Sequence, residues 1–401
     1  MRDIVVIGAG PSGLTAAIIA ARKGKKVTII EKNNKLGKKL LITGNGKCNY
    51  YNENQEISNY HSNNEELLNQ IINHNNLEKV TNFFNSLRII PKIKNGYYYP
   101  FTEMASTIQN ALAYETEKLK IEIIYNLNVT EIIKNDCFII NPKKENIKAK
   151  KIILSTGSKA APKTGSDGTG YSLAASFNHT LIEPKPALVG LKGNEIYFKK
   201  WSGVRTDAII SLYEDDKLIE KENGNLQLTD YGISGIAVFN LSSHISRNLD
   251  KHVEEIHINF MPWLKESAYT YLKRQNDYPI RETLERFLNY KLVDIIIKKS
   301  NIKSNSFKKI TDIEFKNLVY NLTNFTIKIT DTNSFEKAQV CSGGIPLSEI
   351  NVNTFESKKT HNLYLTGELL DINGNCGGYN LTFAWISGIK AGENIWLELD
   401  R

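Results

Sequence analysis

The sequence predicts an α/β fold in which a parallel-sheet dinucleotide-binding domain is split by a long insert. Three observations carry this. Residues 4–30 read as strand, glycine turn, helix and strand. A buried strand at 363–366, followed by a helix, returns near the C-terminus. Between them, from about 191 to 342, the pattern changes to short strands and then to helices.

In chain order, residues 4–7 are a continuous apolar run, the mark of a strand buried on both faces. Leu14, Ala17, Ile18 and Ala21 then recur at helical spacing over 12–23, and Gly24 is a natural helix stop. Residues 27–30 give the second strand. Connections this short imply parallel strands and a right-handed crossover. Residues 65–84 read as helical, and 121–140 as a small antiparallel meander. Residues 151–156 form another buried strand, ending at Gly157. The insert reads as short strands over 191–260 and helices over 261–330. A last helix is expected over 380–397. The expected division is 1–190 with 343–401 as one discontinuous domain, and 191–342 as an inserted domain covering the cofactor.

Composition bounds the function. Hydrophobic residues make up 41 % and charged residues 23 %, ordinary for a globular protein. The net charge of +8 invites a nucleic-acid partner. The lysines are scattered and form no basic arm, so none is expected. Cys48, Cys137, Cys341 and Cys376 form no C-x-x-C pair, so neither a metal site nor a disulfide framework is indicated, and a cytoplasmic location is expected. The apolar run 4–21 is broken by glycines and is not a signal peptide, and no stretch is long enough to span a membrane. Oligomeric state is left open.

The chemistry begins at Gly8-Ala9-Gly10-Pro11-Ser12-Gly13. A pyrophosphate must approach the backbone closely. Gly8 permits the tight turn, Gly10 removes a Cβ from phosphate space, and Gly13 lets the helix pack on the sheet. The helix N-terminus offers unpaired N–H groups and a positive dipole end. Glu31, ending the second strand, suits the ribose hydroxyls and disfavours a 2′-phosphate. Residues 38–49 form a glycine-rich loop with Lys38, Lys39 and Lys47, placed where a second phosphate or a flavin ring would lie. Near the C-terminus, Gly377-Gly378-Tyr379-Asn380 precede the last helix. Donors at a helix start stabilise the negative charge that a flavin gains on reduction. Gly388 and Gly392 would let this helix pack closely.

On these residues the chain resembles the BaiN-like, or aminoacetone-oxidase-like, FAD-binding oxidoreductases. That family's loop reads approximately G-x-K-L-L-I-T-G-x-G-[RK]-C-N, and residues 37–49 match it. Further matches are 96–100, Ser155-Thr156-Gly157 leading into 162–171, 186–189, 342–350, and Gly367-Glu368-x-x-Asp371 through to Leu381. The resemblance implies a glutathione-reductase-like FAD domain with an inserted β-barrel-like and helical region. It implies cofactor contacts from Gly8, Ala9, Gly10, Pro11, Ser12, Gly13, Glu31, Lys32, Lys39, Leu40, Thr43, Gly44, Gly46, Asn49, Val129, Thr156, Gly157, Gly367, Glu368, Asp371, Gly377, Gly378, Asn380 and Leu381. The family often carries F-T-H-x-G-x-S-G-P where this chain has residues 228–236. Asp230 and Ile236 replace the histidine and the proline, so no role of either carries over and substrate choice stays open.

The activity expected is hydride transfer between FAD and a small organic substrate, with NAD(P)H as a candidate donor. Catalytic candidates are Tyr379 as proton donor, Asn380, and Cys48, whose alternative is a small buried thiol. An RNA-modifying flavoprotein and a non-catalytic redox sensor are the alternatives.

Overall fold

The computed structural model describes residues 1–252, 254–275 and 278–396. The chain forms two compact units. One is Met1–Pro186 with the chain from Ala338 onward, and the other is Ala187–Lys337. Each has its own apolar core.

The first unit is built on a seven-stranded sheet. Its strands are β1 (Arg2–Ile7), β2 (Val27–Ile30), β3 (Glu122–Ile124), β4 (Ile132–Lys134), β5 (Phe138–Ile140), β6 (Ile147–Leu154) and β7 (Leu363–Leu365). The order is β3-β2-β1-β6-β5-β4, with β7 also on β6. β3, β2, β1, β6 and β7 run parallel. β6 is long enough to serve two partners on one edge: Ile147–Ala149 pair antiparallel with β5, and Ile152–Leu154 pair parallel with β7. The late strand at Leu363 therefore lies in the same sheet as the strand at Ile4.

Residues 121–140 are not one meander. β4 and β5 are antiparallel neighbours, but β3 joins the far edge, parallel to β2. The helix Ala105–Lys118 precedes β3 and supplies the crossover that parallel pairing needs. The helix read over 65–84 is two, Glu65–Ile71 and His74–Ser86. Asn73 breaks it by capping the second, its side chain accepting from the Asn76 N–H.

Helix α1 (Pro11–Arg22) ends as expected at Gly24. Gly24 is left-handed (φ +78°) and donates to Ala21 O, while Lys25 donates to Ala20 O, the paired bonds of a Schellman stop. The last helix is Tyr379–Asn394; the expected end at Leu397 lies outside the described residues. It packs along α1. A Cβ at Gly388 would overlap Ser12 O and stand 2.9 Å from Thr15 Cβ, and one at Gly392 would stand 2.6 Å from Ala16 O.

The second unit has a seven-stranded sheet, ordered Phe325–Lys328, Glu254–Asn259, Arg205–Glu214, Lys217–Leu228, Gly232–Ser234, Leu191–Lys192 and Asp331–Thr332. Among the described residues no ladder closes it into a barrel. Its central pair is a long hairpin turning on Asp215-Asp216, both at positive φ. The reading of 191–260 as strands missed a helix, Ile236–Asn248. It buries Ala237, Val238, Leu241 and Ile245 against the hairpin, a helical spacing hidden among β-branched residues. Helices then fill 268–323.

Gly388→Ala should destabilise the FAD-free protein by about 1–3 kcal/mol, because the helices must part to admit the methyl. Gly10→Ala, extended and with open space at its Cβ, should leave stability unchanged or slightly raised. Urea midpoints of the two variants check this. Equal midpoints would remove the helix contact as the cause.

Candidate active site

The turn after β1 shows which of its glycines the protein itself requires. Gly8 is at φ +103°, and a Cβ there would overlap Ser155 O; one at Gly13 would overlap Gly8 O. Gly10 differs. Its backbone is extended (φ −79°, ψ −177°) and no protein atom lies within 4 Å of a Cβ built there. Neither conformation nor packing demands glycine at 10, so the space is kept for something the protein does not supply. Pro11 opens α1 and no side chain caps it, so the first turn keeps main-chain N–H groups without an intrahelical partner.

Glu31 is buried at the end of β2. Its Oε2 accepts from the Ala9 N–H at 2.8 Å, and its Oε1 from the Asn33 N–H and Nδ2 at 2.7 Å. Asn33 was not anticipated; its position two residues after the acid is the only sequence signal. Leu127 N–H donates to Glu31 O, which brings the segment carrying buried Val129 to the same strand end.

The loop at 37–49 is tied to this turn by Gly37 N–H donating to Ala9 O at 2.8 Å. Leu40 is fully buried. Thr43 Oγ1 donates to Leu40 O, and Gly44, Asn45 and Gly46 all have positive φ. The cations are spoken for. Lys39 Nζ lies 2.6 Å from Glu368 Oε2, which also accepts from Ser158 Oγ. Lys32 pairs with Asp167 at 2.6 Å and Lys47 with Glu103 at 3.5 Å. The loop thus offers shape and backbone, with Lys39 and Lys47 paired to protein acids and Lys38 reaching Asn33 Oδ1 at 3.5 Å.

Ser155, Thr156 and Gly157 follow β6. Ser155 N–H donates to Ile7 O, and its Oγ lies 2.8 Å from Thr366 Oγ1. Gly367 (φ +67°) leaves room for Ser12: a Cβ there would stand 2.5 Å from Ser12 Oγ. Its N–H donates to Ser387 Oγ of the last helix at 3.0 Å. The first turn, the Gly367 segment and the last helix therefore meet at Ser12. Asp371 is buried and its Oδ2 accepts from Asn63 N–H at 2.9 Å.

At the start of the last helix, Gly378 (φ +96°) abuts Tyr51: a Cβ would lie 3.0 Å from Tyr51 C and 3.1 Å from Asn49 Oδ1. Gly377 O accepts from Asn52 Nδ2 at 2.9 Å, a tie not anticipated. Tyr379 is buried, edge-on to Tyr60. Leu381 packs on the core. Asn380, expected as a donor to the cofactor, turns its amide to the preceding loop. Its Oδ1 accepts from Gly374 N–H at 2.8 Å and its Nδ2 donates to Gly374 O at 2.7 Å. Cys48 is fully buried, and burial pushes its thiol up to about 12, so it stays protonated. None of the four cysteines forms a disulfide.

These residues fit FAD. Besides the space at Gly10, three buried polar atoms around the pocket motifs have no hydrogen-bond partner: Asn49 Oδ1, Thr156 Oγ1 and Tyr171 Oη. Glycines with blocked or open Cβ positions, a buried ribose-type acid and orphaned acceptors are the inventory of a dinucleotide cradle.

The comparisons agree with this geometry. The family described as HI0933-like protein Rossmann domain matches residues 2–394. A 3-dehydro-bile acid delta(4,6)-reductase of Clostridium scindens is 36 % identical over 98 % of both chains. A ribosomal RNA dihydrouridine synthase of Escherichia coli is 26 % identical over 98 % of both chains. Among solved structures, a 3-ketosteroid-delta4-(5alpha)-dehydrogenase of Rhodococcus jostii shares the fold at TM-score 0.50 and 13 % identity, covering 98 % of this chain and 96 % of that one. Among the described residues no helix is long and apolar enough to cross a membrane. The chain belongs to the HI0933-like Rossmann family and is an FAD-dependent oxidoreductase.

Proposed function

We propose that this enzyme reduces a carbon–carbon double bond conjugated to a carbonyl in a small organic molecule, drawing electrons from NAD(P)H. The observation that carries the FAD half of this reading is the empty Cβ direction of Gly10 beside Glu31. Support for the reaction class is the 36 % identity, end to end, with a protein named as a reductase of bile-acid double bonds.

FAD, when bound, supplies reversible two-electron hydride chemistry. The chain's own residues supply position and charge. Glu31, held by Ala9 and Asn33, presents carboxylate oxygens in one orientation, and the uncapped start of α1 receives an anion. The start of the last helix places a positive dipole end beside the Gly377-Gly378 backbone. Asn380 acts by clasping the Gly374 loop that follows Asp371. Tyr379, at the first position of that helix, is the side chain assigned to proton delivery; the buried Cys48 thiol is not. Four cysteines in 401 residues with no C-x-x-C pair favour a reducing, cytoplasmic compartment.

A second reading keeps the chemistry and changes the substrate. Dihydrouridine is uridine whose double bond, conjugated to a ring carbonyl, has been reduced. The net charge of +8 and the relative named as a ribosomal RNA dihydrouridine synthase favour a uracil in RNA as acceptor.

Four outcomes are expected. Gly10→Val should keep the fold and lose FAD, because its side chain meets only the reserved space; released flavin measured after denaturation checks this, and full FAD content would sink the cofactor site. Asn380→Ala should cost about 1–3 kcal/mol in thermal or urea unfolding, since it orphans the Gly374 N–H and C=O. Under anaerobic conditions NADH or NADPH should bleach the flavin, and a conjugated 3-oxosteroid should restore its absorbance. Tyr379→Phe should then slow the second step with the first unchanged. If steroid enones leave the reduced flavin untouched while ribosomal RNA reoxidises it and gains dihydrouridine, the small-molecule reading falls to the RNA one.

A further inference from the structure

The inserted unit holds two facing carboxylates, Glu254 buried and Glu214 partly so, whose oxygens their protein neighbours answer only in part. Glu214 ends the strand Arg205–Glu214, and Glu254 begins the strand Glu254–Asn259. The ladder sets them directly opposite each other. Like charges in that register repel. Glu254 is 0 % exposed, and neither of its carboxylate oxygens has a hydrogen-bond partner; nor does Glu214 Oε1. Buried carboxylates are otherwise paired, hydrogen-bonded or bound to metal.

A third group closes on them. His244, on the helix Ile236–Asn248, places Nε2 at 3.5 Å from Glu214 Oε2. One ligand atom each from Glu214, His244 and Glu254 lie within 4.8 Å of one another. Asn248, one turn on, has its amide nitrogen 3.0 Å from His244 Nε2. A donor there makes Nε2 the lone-pair nitrogen, the form that ligates metals. At the rim, His252 Nε2 stands 3.5 Å from Glu214 Oε1, and its Nδ1 2.7 Å from Asp215 Oδ2.

We propose that Glu214, His244 and Glu254 bind one divalent transition-metal cation of the zinc class, which fastens the hairpin end, the helix Ile236–Asn248 and the strand Glu254–Asn259 to one another. A cation between the carboxylates converts their repulsion into attraction and gives the orphaned oxygens a partner. One imidazole nitrogen with carboxylate oxygens suits zinc, whereas calcium takes oxygen ligands. Zinc holds such atoms tetrahedrally at about 2.0–2.2 Å, so any two of them lie about 3.3–3.6 Å apart. The side chains, now within 4.8 Å of one another, must turn inward by about 1 Å to close on the ion, with the Asn248 amide giving way at Nε2. The site lies wholly inside the inserted unit and is independent of the FAD reading.

The competing account is a proton. Without a cation, burial and the facing Glu214 push the Glu254 carboxyl up to about 7, so a shared proton is the other way to hold the pair.

The test uses the full-length flavoprotein, stripped with chelator and titrated with ZnCl2 and CoCl2. Expected are one zinc per chain by elemental analysis, a visible cobalt d–d spectrum after subtraction of the flavin, and a raised melting temperature with zinc. Glu254→Gln and His244→Ala should each weaken zinc binding by about tenfold or more, with FAD content unchanged. His244 is partly exposed, so its variant keeps the test open where a core substitution misfolds. Wild-type protein that takes up no zinc or cobalt overturns the site. So does zinc binding that both variants retain in full, and so does a Glu254→Gln protein more stable than the zinc-treated wild type, which would show that a proton fills the gap.

Discussion

The FAD unit depends on backbone-to-backbone contact between the two ends of the chain. The last helix reaches α1 closely enough that Gly388 and Gly392 touch main-chain oxygens of Ser12 and Ala16. Gly367 meets Ser12 from the other side, and its N–H is held by Ser387. The cofactor turn at 8–13 is thus complete only when residues beyond 363 have joined the sheet through β7. Contacts of such sequence separation are slow to form, because loop closure precedes any gain from burial. The inserted unit, with its own core, carries a like dependence: Leu191–Lys192, its first strand, pairs with Asp331–Thr332, its last.

That constraint also explains where the charge goes. A glycine loop with several lysines invites the picture of cations waiting for phosphate. Lys39, Lys32 and Lys47 are instead each committed to an acid on another segment: Glu368, Asp167 and Glu103. Exposed ion pairs contribute little to stability. The Lys39–Glu368 pair is mostly buried and links the loop at 37–49 to the segment that follows β7, so its effect is to fix geometry. The proposed recognition of the anion then rests on groups that need no counter-ion: the open Gly10 backbone and the uncapped helix start.

What was legible in the sequence follows from range. The β1–α1–β2 unit, the Gly24 stop and the roles of Gly388 and Gly392 rest on residues within a turn or two of each other, or on the plain fact that glycine carries no side chain. The FAD motifs were legible because each is a short run with a steric purpose. The edge on which β3 pairs was hidden, since alternating apolar residues say nothing of which neighbour they will meet. The helix Ile236–Asn248 was hidden by β-branched and serine residues after Gly235; its buried face becomes visible only against the hairpin it covers. Seven histidines without clustering in sequence gave no hint that His244 and His252 would both approach Glu214.

Asn380 shows the limit most sharply. A polar residue in the first turn of a helix, after two glycines and beside a cofactor motif, reads as a ligand donor. The same features suit a residue that satisfies the loop feeding the helix. The choice is decided by where the Gly374 N–H and C=O find partners, because buried main-chain groups must be paired. Gly374 is buried, and the side chain of Asn380 answers both of its groups. Its amide is therefore spent on the protein, and the donors left for an anionic ring edge are main-chain N–H groups of the helix start. Those require residues 377 and 378 to turn sharply, which their positive φ values show. The demand for glycine at 378 is steric as well, since Tyr51 occupies the space a Cβ would need. Chain packing alone thus asks for glycine at 378, and the proposed cofactor contact at this helix start asks for the same residue.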